Sequence, residues 1–187
     1  MSNQNNLNMT STTPPVSGNS IAPGYRQADF SSKSRVERWF FTPIEKLKSK
    51  DDGFAILILL FPLYEKYLKV SSQTPDEIQF SNGNKVFEII GKDLGVSKEI
   101  AYVVWQHFRN GLLHHAMIKE STEYSFHLCQ NGEAIHICDV KKEIGKKEIG
   151  VNPFKMREIL LKKLKSNMDI WQNDSLYKLA YEYEPDK

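Results

Sequence analysis

The chain has 187 residues, 40% of them hydrophobic, with 25 Lys and Arg set against 23 Asp and Glu for a net charge of +2. That length supports one domain with a tail and a core of ordinary size, and so balanced a charge gives no argument of its own for a nucleic-acid partner. The longest apolar run, Phe54 to Tyr64, contains Pro62 and is too short to cross a bilayer. With no basic n-region followed by an apolar stretch at the start, the expectation is a cytoplasmic protein with no membrane association.

Residues 1–33 are rich in Ser, Asn, Thr, Pro and Gly with few apolar side chains, and read as a disordered low-complexity tail. The domain is expected over 34–187. Ser34 is a candidate N-cap for "RVERWFFTPIEKLKSK", which Pro43 breaks or kinks. Then comes "GFAILILLFPLYEKYLKV", apolar almost all round and so suited to the middle of a bundle. "GNKVFEIIGKDLG" predicts a short helix ending at Gly95, and Ser97 caps the next, "KEIAYVVWQHFRNGLLHHAMIKE".

"EYSFHL" and "AIHICDV" alternate and flank "CQNGEA", whose Asn131-Gly132 signals a tight turn, so a β-hairpin is expected at about 123–140. "KKEIGKKEIG" repeats five residues twice and reads as a solvated loop. Asn152 and Pro153 form an N-cap and N1 pair for a last amphipathic helix, "FKMREILLKKLKSNMDIW". The expected fold is mostly α, a helical bundle with one β-hairpin inserted before the C-terminal helix.

On the helix that carries "FRNGLLHHA", advancing about 100° per residue puts Ala101, Val104, Trp105, Phe108, Leu112, His115 and Ala116 on one face, the core face. Asn110 and His114 stack four apart on the other side, with Arg109 at its edge. His115 is therefore expected to be a packing residue. Arg109, Asn110 and His114 are either an ordinary polar face, with Glu65 as a candidate partner on the greasy helix, or a site.

The string "FRNGLLHH" resembles the Arg-Asn-x-x-x-His signature of the HEPN superfamily, helical proteins that include many metal-independent ribonucleases of prokaryotic defence and toxin systems. Arg109, Asn110 and His114 match it position by position, late in a long helix preceded by a strongly apolar one. The hairpin and the N-terminal tail depart from a minimal HEPN domain. The resemblance implies RNA cleavage by transesterification, with His114 as base, Arg109 stabilising charge on the phosphate and Asn110 orienting. It also implies a homodimer that brings two motif helices together, no cofactor, and a cognate antitoxin as a further partner.

From Lys141 to Lys165 nine basic residues face three acidic ones. Lys141, Lys142, Lys146, Lys147, Lys162 and Lys163 are the candidate RNA-binding residues; a solvated loop and the wet face of a helix are the plain alternative. Two rival functions stand beside cleavage. One is a HEPN-like interaction module without catalysis. The other is a helix-turn-helix DNA binder built on "IGKDLGVSKEIAYVVWQ", whose second helix is poor in base-reading side chains. No metal site is expected: the histidines lack HExxH spacing, and His127 and His136 lie on different strands with no evident carboxylate companion. Cys129 and Cys138, on two strands expected to face each other, are read as buried thiols, although a disulfide is open to them geometrically.

Overall fold

The computed structural model describes residues 35–72, 78–81, 83–119, 121–139 and 146–172. The expected tail, the Ser34 cap, Lys141 and Lys142 lie outside the described residues. Among those described the fold is mostly helical with one small sheet.

The chain enters through a π-helical turn, Glu37–Phe41, that runs into α1, Thr42–Lys46. Pro43 does not break this segment. It sits in the first turn of α1, and the wide turn ahead of it, closed by the Thr42 N–H on the Glu37 carbonyl, accommodates its ring and missing donor. After a capping box at Ser49, α2 spans Gly53–Ser71. Its buried side chains, among them Ile56, Leu57, Leu60, Phe61, Tyr64 and Leu68, make it the central rod, packed along α6 (Pro153–Ser166) and against the elements on either side.

α3, Val86–Leu94, stops where the sequence predicts, with Gly95 at φ 73° as its left-handed end. The Ser97 hydroxyl accepts from Ile100 N and starts α4, Lys98–Val104. The turn between the two helices is that of the helix-turn-helix rival, but α4 spends its side chains inward. Ala101, Val104 and Trp105 are buried and Tyr102 meets Phe87 edge-on. Trp105 also stacks on Phe80 at 4.5 Å and meets Phe61 edge-on, which fastens this helix to α2.

The expected hairpin is replaced by a three-stranded sheet. β1 (Tyr124–Leu128) and β2 (Ile135–Asp139) do not pair with each other; β3 (Lys147–Val151) lies between them, parallel to β1 and antiparallel to β2. The stretch read as a solvated loop thus supplies the central strand. Its period-2 pattern is masked by lysines and a glycine, yet Ile149 and Val151 are fully buried. Asn131-Gly132 does form a turn, with Gly132 at φ 85°. Its carbonyl accepts from Asn152 Nδ2, tying the turn to the start of α6 rather than closing a hairpin.

Asn152 caps α6 as expected, its Oδ1 accepting from Phe154 N and Lys155 N at 3.1 Å each. The helix ends at Ser166, and a 3₁₀ turn, Met168–Gln172, carries Trp171 back into the core.

Candidate functional site

The motif helix is not one continuous α-helix. After α4 it widens into a π-helical turn, Trp105–Arg109, closed by Asn110 N–H on the Trp105 carbonyl, and then resumes as α5, Asn110–His115. Ala116, at φ 55°, reverses the chain there, short of the predicted end at Glu120. The returning segment runs so close that a Cβ on Gly111 would lie 2.5 Å from Met117 O and 2.6 Å from Lys119 N. Only glycine fits. In the same place Lys119 N donates to the His107 carbonyl at 3.0 Å, and His107 Nδ1 lies 2.8 Å from Lys119 O.

The π turn brings Arg109 and Asn110 into one polar chain. Arg109 Nη2 donates to Glu65 Oε2 at 2.5 Å, and its Nη1 to Asn110 Oδ1 at 2.9 Å. Asn110 Nδ2 donates to Gln106 Oε1 at 2.8 Å, and Gln106 Nε2 to the Phe80 carbonyl at 3.3 Å. Glu65 also accepts from Lys69 Nζ at 2.9 Å. The Arg109 side chain is 20% and that of Glu65 15% exposed, so this is a half-sheltered pair that each partner needs. Glu65 is thus the carboxylate that the sequence made a candidate partner for the polar face.

The histidines depart from the ideal-helix reading. His114 is exposed and stands one turn on from Asn110, outside the hydrogen-bonded chain. His115, expected in the core, is exposed, as is Ala116. The core stripe holds as far as Leu112; beyond it the helix projects past the hydrophobic core and turns back. His107 stacks on Phe126 of β1, ring centroids 4.6 Å apart.

Among the described residues, four of the basic side chains of this patch are spent within the fold. Lys163, a predicted RNA contact, pairs with Asp93 at 2.6 Å, and Asp93 also accepts from the buried Tyr64 hydroxyl. Burial, then the Asp93 carboxylate, push the Tyr64 phenol far above its ordinary value. Lys165 pairs with Glu45, Lys155 with Glu158, and Arg157 donates to the Leu47 carbonyl. Lys162 and Lys147 remain exposed, and Lys146 is half-buried beside β3.

A second cluster lies on the sheet. His127, Cys129 and His136 bring one ligand-type atom each within 4.8 Å of one another, with Cys129 Sγ 3.6 Å from His136 Nδ1. Burial raises the Cys129 thiol pKa, partly offset by its backbone N–H. A carboxylate companion is present after all: Glu148 Oε1 lies 3.1 Å from His127 Nδ1. Cys129 is half-buried and Cys138 exposed, and no disulfide joins them. The signal was in the sequence as "HLC" and "HIC", since two-residue spacing on a strand puts His and Cys on one face. The strand order that brings the two together was not.

Compared with protein-family models, with curated proteins and with solved structures, the chain matches none.

Proposed function

We propose that the protein is a HEPN-like, metal-independent endoribonuclease acting as a homodimer, with Arg109, Asn110 and His114 as its catalytic residues. The observation that carries this is the π-widened turn, a distortion common at functional sites, which sets Arg109 against Asn110 and clasps the guanidinium to Glu65 next to an exposed histidine.

In the proposed step His114 takes the proton of the 2′-hydroxyl, whose oxygen then attacks the adjacent phosphorus. The P–O5′ bond breaks, the 5′-hydroxyl leaves with a proton from His114 of the partner subunit, and a 2′,3′-cyclic phosphate remains. Arg109 neutralises charge on the non-bridging oxygens, and Asn110 orients the phosphate. Lys146, Lys147 and Lys162 are the proposed RNA contacts, and an antitoxin is a proposed further partner.

One observation favours a non-catalytic interaction module instead: both terminal nitrogens of Arg109 are already bonded, to Glu65 and Asn110. Cleavage of labelled single-stranded RNA, run with and without EDTA, decides between them. His114→Ala is the clean variant because His114 is exposed and bonded to nothing in the core. Its rate is expected to fall at least about 100-fold, the usual size of a lost general base, with cyclic-phosphate ends in the wild type. No cleavage by folded wild-type dimer across several RNAs moves the assignment to the interaction module.

A further inference from the structure

On the sheet, β-strand alternation sends Phe126, Leu128, Ile149, Val151 and Ile135 toward the helices and leaves the other face to polar side chains. Register then decides which of these meet. His127 of β1 and His136 of β2 are both opposite Gly150 of β3, so the two histidines flank one glycine across the full width of the sheet. A Cβ on Gly150 would lie 1.9 Å from His136 Cε1, so the imidazole occupies the room a side chain there would fill. The two rings meet edge-on at 5.2 Å, and Cys129, two residues beyond His127, closes the third side.

We propose that His127, Cys129 and His136 form a zinc-binding site on the polar face of this sheet. Two imidazoles and one thiolate are a borderline-soft set suited to Zn²⁺. With Zn–S near 2.3 Å and Zn–N about 2.0–2.1 Å, a tetrahedral ion holds its sulfur and nitrogen ligands about 3.6 Å apart, which is the separation of Cys129 Sγ and His136 Nδ1. His127 Nδ1 is shielded from solvent and has no aligned hydrogen-bond partner, although the Glu148 carboxylate is 3.1 Å away. Glu148 is thereby placed to orient His127 and to offset the charge of the ion, the outer role carboxylates commonly take around ligating histidines. Solvent completes the coordination, since all three ligands are only half-buried.

The ion fastens the outer strands across the central one. Phe126, next to His127, packs on His107 and Phe108, so the strand held by the ion also buttresses the motif helix. The site itself uses none of Arg109, Asn110 or His114, and stands or falls apart from RNA cleavage.

The test is titration of the reduced, chelator-stripped full chain with Co²⁺ and then Zn²⁺. One ion per chain is expected, with a thiolate-to-cobalt charge-transfer band that Zn²⁺ displaces. Cys129→Ser and His136→Ala are expected to bind at least about 100-fold more weakly and Cys129→Ser to lose the band, whereas Cys138→Ser keeps both. Glu148→Gln is expected to weaken binding roughly 10–100-fold and keep the band. Alkylation of the wild type followed by mass spectrometry covers the case of a variant that fails to fold: Zn²⁺ should protect Cys129 and leave Cys138 reactive. No stoichiometric binding by folded wild type, a band that survives in Cys129→Ser, or a Cys129 reactivity that Zn²⁺ leaves unchanged overturns the proposal.

Discussion

The helical half of the molecule and the polar face of its sheet treat charged and polar side chains in opposite ways. In the helices two polar clusters are met by protein partners: Glu65 answers Arg109 with opposite charge, and Lys163 and the neutral Tyr64 hydroxyl both donate to Asp93. On the sheet two imidazoles and a thiol converge over a glycine with one half-exposed carboxylate at their edge. Polar groups are sheltered in both regions, but the first sets opposite charges against each other, with Arg109 Nε left buried and unbonded, whereas the second gathers groups that share one neighbouring carboxylate. Closure of that kind gives rigidity, and an open set of converging donors is what a ligand can complete.

Two glycines test the contrast most severely. Gly111→Ala drives a methyl into main-chain atoms of the return segment, which have nowhere to go, and is expected to cost about 2–3 kcal/mol, the upper part of the usual range for overpacking. Gly150→Ala meets the His136 ring first, a side chain that can swing outward, so its loss in a urea titration should be clearly smaller. Equal losses would mean that the sheet face is as closed as the helices.

Glu65→Ala leaves the Arg109 guanidinium without its carboxylate. Because the pair is half-sheltered, the expected cost is about 2 kcal/mol, below that of breaking a fully buried pair. Adding Arg109→Ala should recover part of it in a double-mutant cycle. Additive losses would show that the two residues contribute independently and that the helical network is not closed as described.

The smallest effect is a pH dependence. The folded Tyr64 pKa lies above the ordinary value of 10.0, so the folded state holds this proton more tightly than the unfolded chain does. Its contribution is intact below about pH 10 and drains away as pH rises from there toward the folded value, by up to about 1.4 kcal/mol per pH unit. Tyr67, raised in the same direction by burial and then Asp93, adds to the slope. Thermal melts at pH 9 to 11 should show Tyr64→Phe losing stability less steeply than wild type. Parallel slopes would remove Tyr64 from the alkaline response.

What could be read in advance follows from the range of the forces involved. Helix ends at Gly95, Ser97 and Asn152 are local chemistry, one residue answering an unsatisfied backbone group nearby, and all three stand where the sequence puts them. The Glu65–Arg109 pair was accessible because a carboxylate in an apolar helix needs a partner. His115 was misplaced because a 100° rotation assumes a helix that continues along the core, and this one widens at Trp105 and turns back at Ala116.

The sequence by itself determined the order of the helices, the helix ends at Gly95, Ser97 and Asn152 and the apolar central rod, since each depends on neighbours within about a turn of chain. Only the tertiary structure decided that β3 separates β1 from β2, that Lys163 serves Asp93, and that His127, Cys129 and His136 meet over Gly150. Strand pairing and ion pairing across 70 residues are set by which surfaces remain unsatisfied once the core has closed. No short window of sequence carries that information.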